Sequence, residues 1–225
     1  MNDKRIKLRD FLSLPYEEKV KFLWGNYKAG ILAVFVGLVL LAAAVGAVKD
    51  LKKTTVMAGI TVNVELSEAG KAYLTDAYKE KLQAGKKEMV YLGKAEIHYL
   101  DTTLNHNDNY YAAMSLASLC YNQEVDYLLL DQEGFEVMLL QDVYLDLQKV
   151  YTQEELELLG ETVVFAQNND QAAPRPIALK ITDSPFIQEN TDVAGEVYFA
   201  YAAASPRTEA CRELFEYLLA WKSKE

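Results

Sequence analysis

The sequence predicts an α/β protein, one N-terminal transmembrane helix followed by a mainly parallel α/β domain. Three observations carry this reading. A run of twenty residues, Ala29 to Val48, holds no charge, Pro, Asn or Gln. From Thr55 onward, strand-like and helix-like stretches alternate. Charge is divided along the chain, with residues 1–28 carrying seven Lys/Arg against four acids. Residues 49–225 carry sixteen Lys/Arg against 29 acids, a net charge of −13.

The apolar run "AGILAVFVGLVLLAAAVGAV" is long enough, at about 1.5 Å per residue, to cross the roughly 30 Å hydrocarbon core of a bilayer. Trp24 and Tyr27 precede it where an interfacial aromatic belt belongs, and Lys28 and Lys49 bracket it. The run exceeds the apolar core of a cleaved signal peptide, which reads as an uncleaved signal anchor. Four Lys/Arg (Arg9, Lys19, Lys21, Lys28) stand before it and three (Lys49, Lys52, Lys53) after it. The basic N-terminal tail then places the N-terminus in the cytoplasm and the C-terminal domain outside a single-pass cell-membrane protein. Expected segments are a cytoplasmic tail (1–28), a transmembrane helix (29–48) and an extracytoplasmic α/β domain (49–225). Tyr16, Val20, Leu23, Trp24 and Tyr27 form an amphipathic stripe after Pro15. Gly30, Ala33, Gly37 and Ala44 would allow self-association through the span, with the monomer preferred.

The outer domain reads in order. "TVMAGITVNVEL" is β-branched and forms a strand; "SEAGKAYLTDAYKEKLQAG" is a helix capped by Ser67 and stopped at Gly85. "AEIHYLD" alternates as a second strand, and "DNYYAAMSLASLCYNQ" puts Ala113, Leu116, Ala117 and Cys120 on one helical face. "VDYLLLD" is apolar on both sides and belongs at the centre of the sheet. A helix begins around Phe135, and "TQEE" is a capping box for the next one. "TVVFA", "PIALKIT" and "EVYFAYAA" are strand-like, and the last helix opens with Ser205 as cap and Pro206 in its first turn.

Chemistry is scarce. There is no G-x-S-x-G, P-loop, H-E-x-x-H or dinucleotide fingerprint. Cys120 and Cys211 lie in helical patterns without metal-like spacing and read as buried free thiols. His98 reads as a strand residue, and "NHNDN" as a loop rather than a calcium site. No cofactor, metal or catalytic group is expected. The acidic domain repels phosphates, which excludes nucleic acid. Ligands of open α/β sheets sit outside the carboxyl ends of strands. The residues at those ends are Glu65 and Ser67, then Asp101 and Thr102, then Asp131 and Glu133, and they form the candidate binding edge. Acids there also suit the positive end of a helix dipole.

"EVDYLLLDQEGFEVMLLQDVYLDLQKVYTQEEL", "PIALKIT" and "EVYFAYAAASPRTEACRELFEYLL" resemble the corresponding stretches of extracellular solute-binding proteins of the type 2 periplasmic-binding fold. Val125, Asp126 and Tyr127 stand for the family's turn, and Asp142 to Leu147 for its loop. The resemblance spans residues 56–221 and implies a periplasmic-binding-like domain that takes up a small polar ligand, or assists a transporter. Two departures stand out, a missing Pro in the turn and a missing Gly in the loop. The 177 residues after the apolar run are also few for two lobes, so the alternative is a reduced, degenerate domain that holds an envelope protein.

Overall fold

A computed structural model describes residues 15–50, 54–98, 106–167 and 173–222. The chain divides into two units, Met1–Lys53 and Thr54–Glu225.

The described part of the first unit is the helix α1 (Tyr16–Asp50), of 35 residues. Among the described residues no helix is long and apolar enough to cross a membrane. The expected transmembrane helix, signal anchor and single-pass location with the domain outside are corrected on this finding. Of the expected amphipathic stripe, Tyr16 and Trp24 are exposed. The side chains of Val20, Leu23 and Tyr27 lie outside the described residues.

The second unit is a six-stranded sheet flanked by helices. Its elements are β1 (Thr54–Val62), α2 (Glu68–Ala72), a π-helical turn (Tyr73–Ala77), α3 (Tyr78–Lys81), β2 (Glu88–Ala95), α4 (His106–Tyr121), β3 (Tyr127–Asp131) and α5 (Gln132–Leu140). There follow α6 (Gln153–Leu159), β4 (Val163–Ala166), β5 (Arg175–Lys180), α7 (Pro185–Asn190), β6 (Val197–Tyr201) and α8 (Thr208–Leu219). The sheet order is β2-β1-β3-β6-β5-β4. β1 runs parallel to β2 and β3. β6 is antiparallel to both β3 and β5, and β4 is antiparallel to β5. The expected mainly parallel sheet is therefore corrected to a mixed one, parallel only in its first half.

Pleating explains the two halves of the core. Tyr127, Leu129, Phe199 and Tyr201 face one side, with Met57, Leu74, Leu214 and Phe215. Leu128, Leu130 and Ala200 face the other, with Ile60, Val62, Leu116, Ala117, Phe135 and Met138. β3 lies between β1 and β6 with Tyr127 to Leu130 fully buried, the central position its doubly apolar sequence requires. Both core layers and all six strands lie within Thr54–Glu225, so this unit carries what it needs to fold alone.

Local signals worked where the partners are close in sequence. Thr152 and Glu155 form the expected capping box, and Ser67 accepts from Gly70 N at 3.0 Å. The expected helix over 67–85 ends early and contains the π turn. That turn puts Tyr73 and Tyr78, five residues apart, against α8, where their hydroxyls donate to the carbonyls of Tyr217 and Ala210 at 2.9 Å each. The second strand is "EMVYLGKA" rather than "AEIHYLD", of which only Ala95 belongs to the strand and Glu96 to His98 lie beyond its end. His98 is therefore not a strand residue. Ser205 does not cap α8; its hydroxyl donates to Asp126 and accepts from Arg207 N, and the helix begins at Thr208. Cys120 and Cys211 are buried free thiols on opposite core layers, as expected. Burial pushes the Cys120 thiol up to about 12.

Candidate functional site

The crossover through α2 and α3 covers one face of the sheet and the crossover through α4 the other. The topological switch point of the sheet therefore lies at the carboxyl ends of β1 and β3. The expected binding edge lies there. Asp101 and Thr102 fall outside the described residues. The other four can be placed.

Asp131 is the cap of α5. Its Oδ1 accepts from Gly134 N at 2.7 Å and from Asn63 Nδ2 at 3.1 Å. Asn63, at φ 56°, is in the left-handed region that Asn tolerates, just past the end of β1. From there its amide clasps Ile97, donating to the carbonyl and accepting from the N–H, each at 2.7 Å. Gly134 is required beside this clasp, since an added Cβ would lie 2.8 Å from Val62 Cγ1. Glu133 lies 3.6 Å from His98 Nδ1. Ser67 donates to Asn190 Oδ1 at 2.8 Å, tying the start of α2 to the end of α7. Glu65 accepts from Lys94 at 2.6 Å, and Lys94 also pairs with Glu96 at 2.9 Å.

The predicted residues therefore share an edge but do not converge on a common centre. Each described one has a structural partner. Two hollows remain. A cavity of about 120 Å³ is lined by Thr61, Glu65, Lys71, Thr75, Leu92 and Lys94. A more open cleft of about 440 Å³ lies beside Asp131, Glu133, Glu136 and Gly195. Among the described residues no group of His, Cys, Asp and Glu could hold a metal ion. Of "NHNDN", expected as a loop, His106 to Asn109 instead form the start of α4, and Asn109 holds the His98 backbone from both sides, at 2.8 and 3.3 Å.

Ion pairs at the surface tune the carboxylates. Lys94, through its hydrogen bond first and its charge second, holds Glu65 below the usual 4.5. The Thr152 N–H and then Arg212 lower Glu155 in the same way. The Tyr198 hydroxyl and then Lys180 lower Glu196. A carboxyl lowered by folding binds fewer protons in the native state than in the unfolded one. Its stabilisation is thus present above about 4.5 and is lost as pH falls below that value. The melting temperature of residues 54–225 is expected to be level between neutrality and pH 5, then to fall as acid is added. The exposure of these groups keeps each contribution small.

Two features escaped sequence reasoning. Asp126 is wholly buried at the opposite rim. It accepts from Ala58 N at 2.7 Å, Ser205 Oγ at 2.7 Å and Arg207 Nε at 2.8 and 2.9 Å. Its role is to lock β1, β3 and the approach to α8 together. The second feature is the outward face of α4. Tyr110, Tyr111, Met114 and Tyr121 are 48%, 66%, 43% and 52% exposed, and Ser115 and Ser118 between them are exposed too. The helix sequence "HNDNYYAAMSLASLCY" contains one charged residue, Asp108, in a chain that is 25% charged. Its low charge was visible in the sequence, but only the structure shows which of its apolar residues face outward.

No protein-family model, curated protein or solved structure matches this chain.

Proposed function

We propose that this chain is a protein-contact domain, with the α/β fold acting as a rigid support for the outward face of α4. The observation that carries this reading is the composition of that face: three exposed tyrosines and a methionine with no charge from residue 109 to 121. A solvated helix in so charged a chain would set Lys and Glu outward. The acids at the carboxyl edge serve as caps and ion-pair partners, which leaves them fewer free acceptors for a ligand. Tyrosine and methionine are also the side chains enriched where proteins meet.

A photo-reactive phenylalanine analogue placed at Tyr111 in cells is expected to give a discrete cross-linked product. The same probe at Glu157, exposed on α6, is expected to give none. Equal yields at both positions, or none at 111, would overturn the reading. A second reading, uptake of a small polar ligand as the solute-binding resemblance implies, is favoured by the 120 Å³ cavity between Glu65, Lys71 and Lys94.

A further inference from the structure

We infer that the partner of the α4 face is a second copy of this chain, paired antiparallel across a two-fold axis; this rests on the contact reading above. Shape is the first argument. Tyr110, Tyr111 and Met114 occupy the first half of the face, the small Ser115 and Ser118 follow, and Tyr121 stands at its end. Antiparallel pairing of two copies, with the axis between Met114 and Ser115, sets Tyr111 of each helix against Ser118 of the other and leaves Tyr121 opposite the start of the other helix. A two-fold interface must be self-complementary in this way, because the same patch serves both partners.

Charge is the second argument. A domain with a net charge of −13 repels its own copy over most of its surface. Residues 109–121 themselves add no charged side chain, and Asp142, beside Tyr121, is paired with Arg175. Area is the third. Aromatic side chains present roughly 150–250 Å² each, so the exposed fractions of Tyr110, Tyr111, Met114 and Tyr121 give on the order of 400 Å². Leu140, 70% exposed, adjoins Gln141, whose carbonyl accepts from the Tyr121 hydroxyl at 3.0 Å. With the serines it extends the patch toward the ~800 Å² that each partner of a stable complex contributes.

Residues 54–225 hold their own core and suit the test. Sedimentation over a roughly hundredfold concentration range is expected to show a monomer giving way to a dimer. Combining Tyr111→Glu with Met114→Lys should weaken pairing by about tenfold or more, as loss of central anchors does. Leu158→Glu, which adds a charge on α6 at a residue 87% exposed, should leave it unchanged. Circular dichroism and melting of each variant establish that it is folded. A monomer at every concentration, or a folded double variant that dimerises like the parent, would overturn self-pairing. If the Tyr111 cross-link in cells then joined this chain to a different protein, the contact reading would stand without it. If position 111 gave no product either, both would fall.

Discussion

Asp126→Ala is expected to destabilise residues 54–225 by about 3 kcal/mol, because it breaks a charge pair with the partly exposed Arg207 and leaves the buried Ala58 N–H without its acceptor. The substitution would leave Arg207 facing a cavity. It would also remove the carboxylate that accepts from Ala58 N and Ser205 Oγ, 68 and 79 residues away in sequence. A loss of this size is a large part of the 5–15 kcal/mol typical of a whole domain. Urea unfolding at neutral pH checks it. Adding Arg207→Met should recover only part of the loss, because the Ala58 N–H would still be without its partner. A loss below about 1 kcal/mol would mean that water reaches the site and that Asp126 does not hold the rim together.

Gly59→Ala is the second large effect. A Cβ at residue 59 would lie 2.0 Å from Cζ and 2.4 Å from the hydroxyl oxygen of Tyr127. That ring is fully buried and stacks on Phe199 at 5.3 Å, so it has little room to retreat. Overpacking of this kind costs typically about 1–3 kcal/mol, and the closeness here places it at the upper end or beyond. The Tyr127 hydroxyl has no hydrogen-bond partner among the described residues. Tyr127→Phe alone should therefore leave stability level or raise it, since an unsatisfied buried hydroxyl costs about 1–3 kcal/mol. Combining Gly59→Ala with Tyr127→Leu should cost less than the two single changes added together. Strict additivity would show that the two residues do not compete for one space.

What could be read from the sequence follows the range of the interactions. Caps were legible because Ser67 with Gly70, Asp131 with Gly134 and Thr152 with Glu155 lie three residues apart. β3 was legible because a short run, apolar on both faces and bounded by acids, suits a strand covered from both sides. Strand direction was not. β6 is buried at all five positions, and periodicity in such a run does not say which way it runs beside β3. β2 was placed one stretch too late because Ala95, Ile97 and Tyr99 alternate well, whereas the pairing of Glu88–Ala95 with β1 is set by tertiary contacts. The Asp126 lock joins residues up to 81 apart, beyond any local signal. At the carboxyl edge Asp131 and Glu133 were read correctly as acids suited to a helix start. The further expectation of a common ligand centre needed a convergence that the described residues do not make.

The central claim is that the outward face of α4 is covered in the cell. Hydroxyl-radical footprinting of the full chain in intact cells, compared with dilute residues 54–225, tests it most directly. Tyr111 and Met114 are expected to react several-fold more slowly in cells, while Leu158 and Phe165, 87% and 58% exposed, react alike in both. Full reactivity of Tyr111 and Met114 in cells, with protection confined to Leu92 beside the small cavity, would contradict the claim and favour the small-ligand reading.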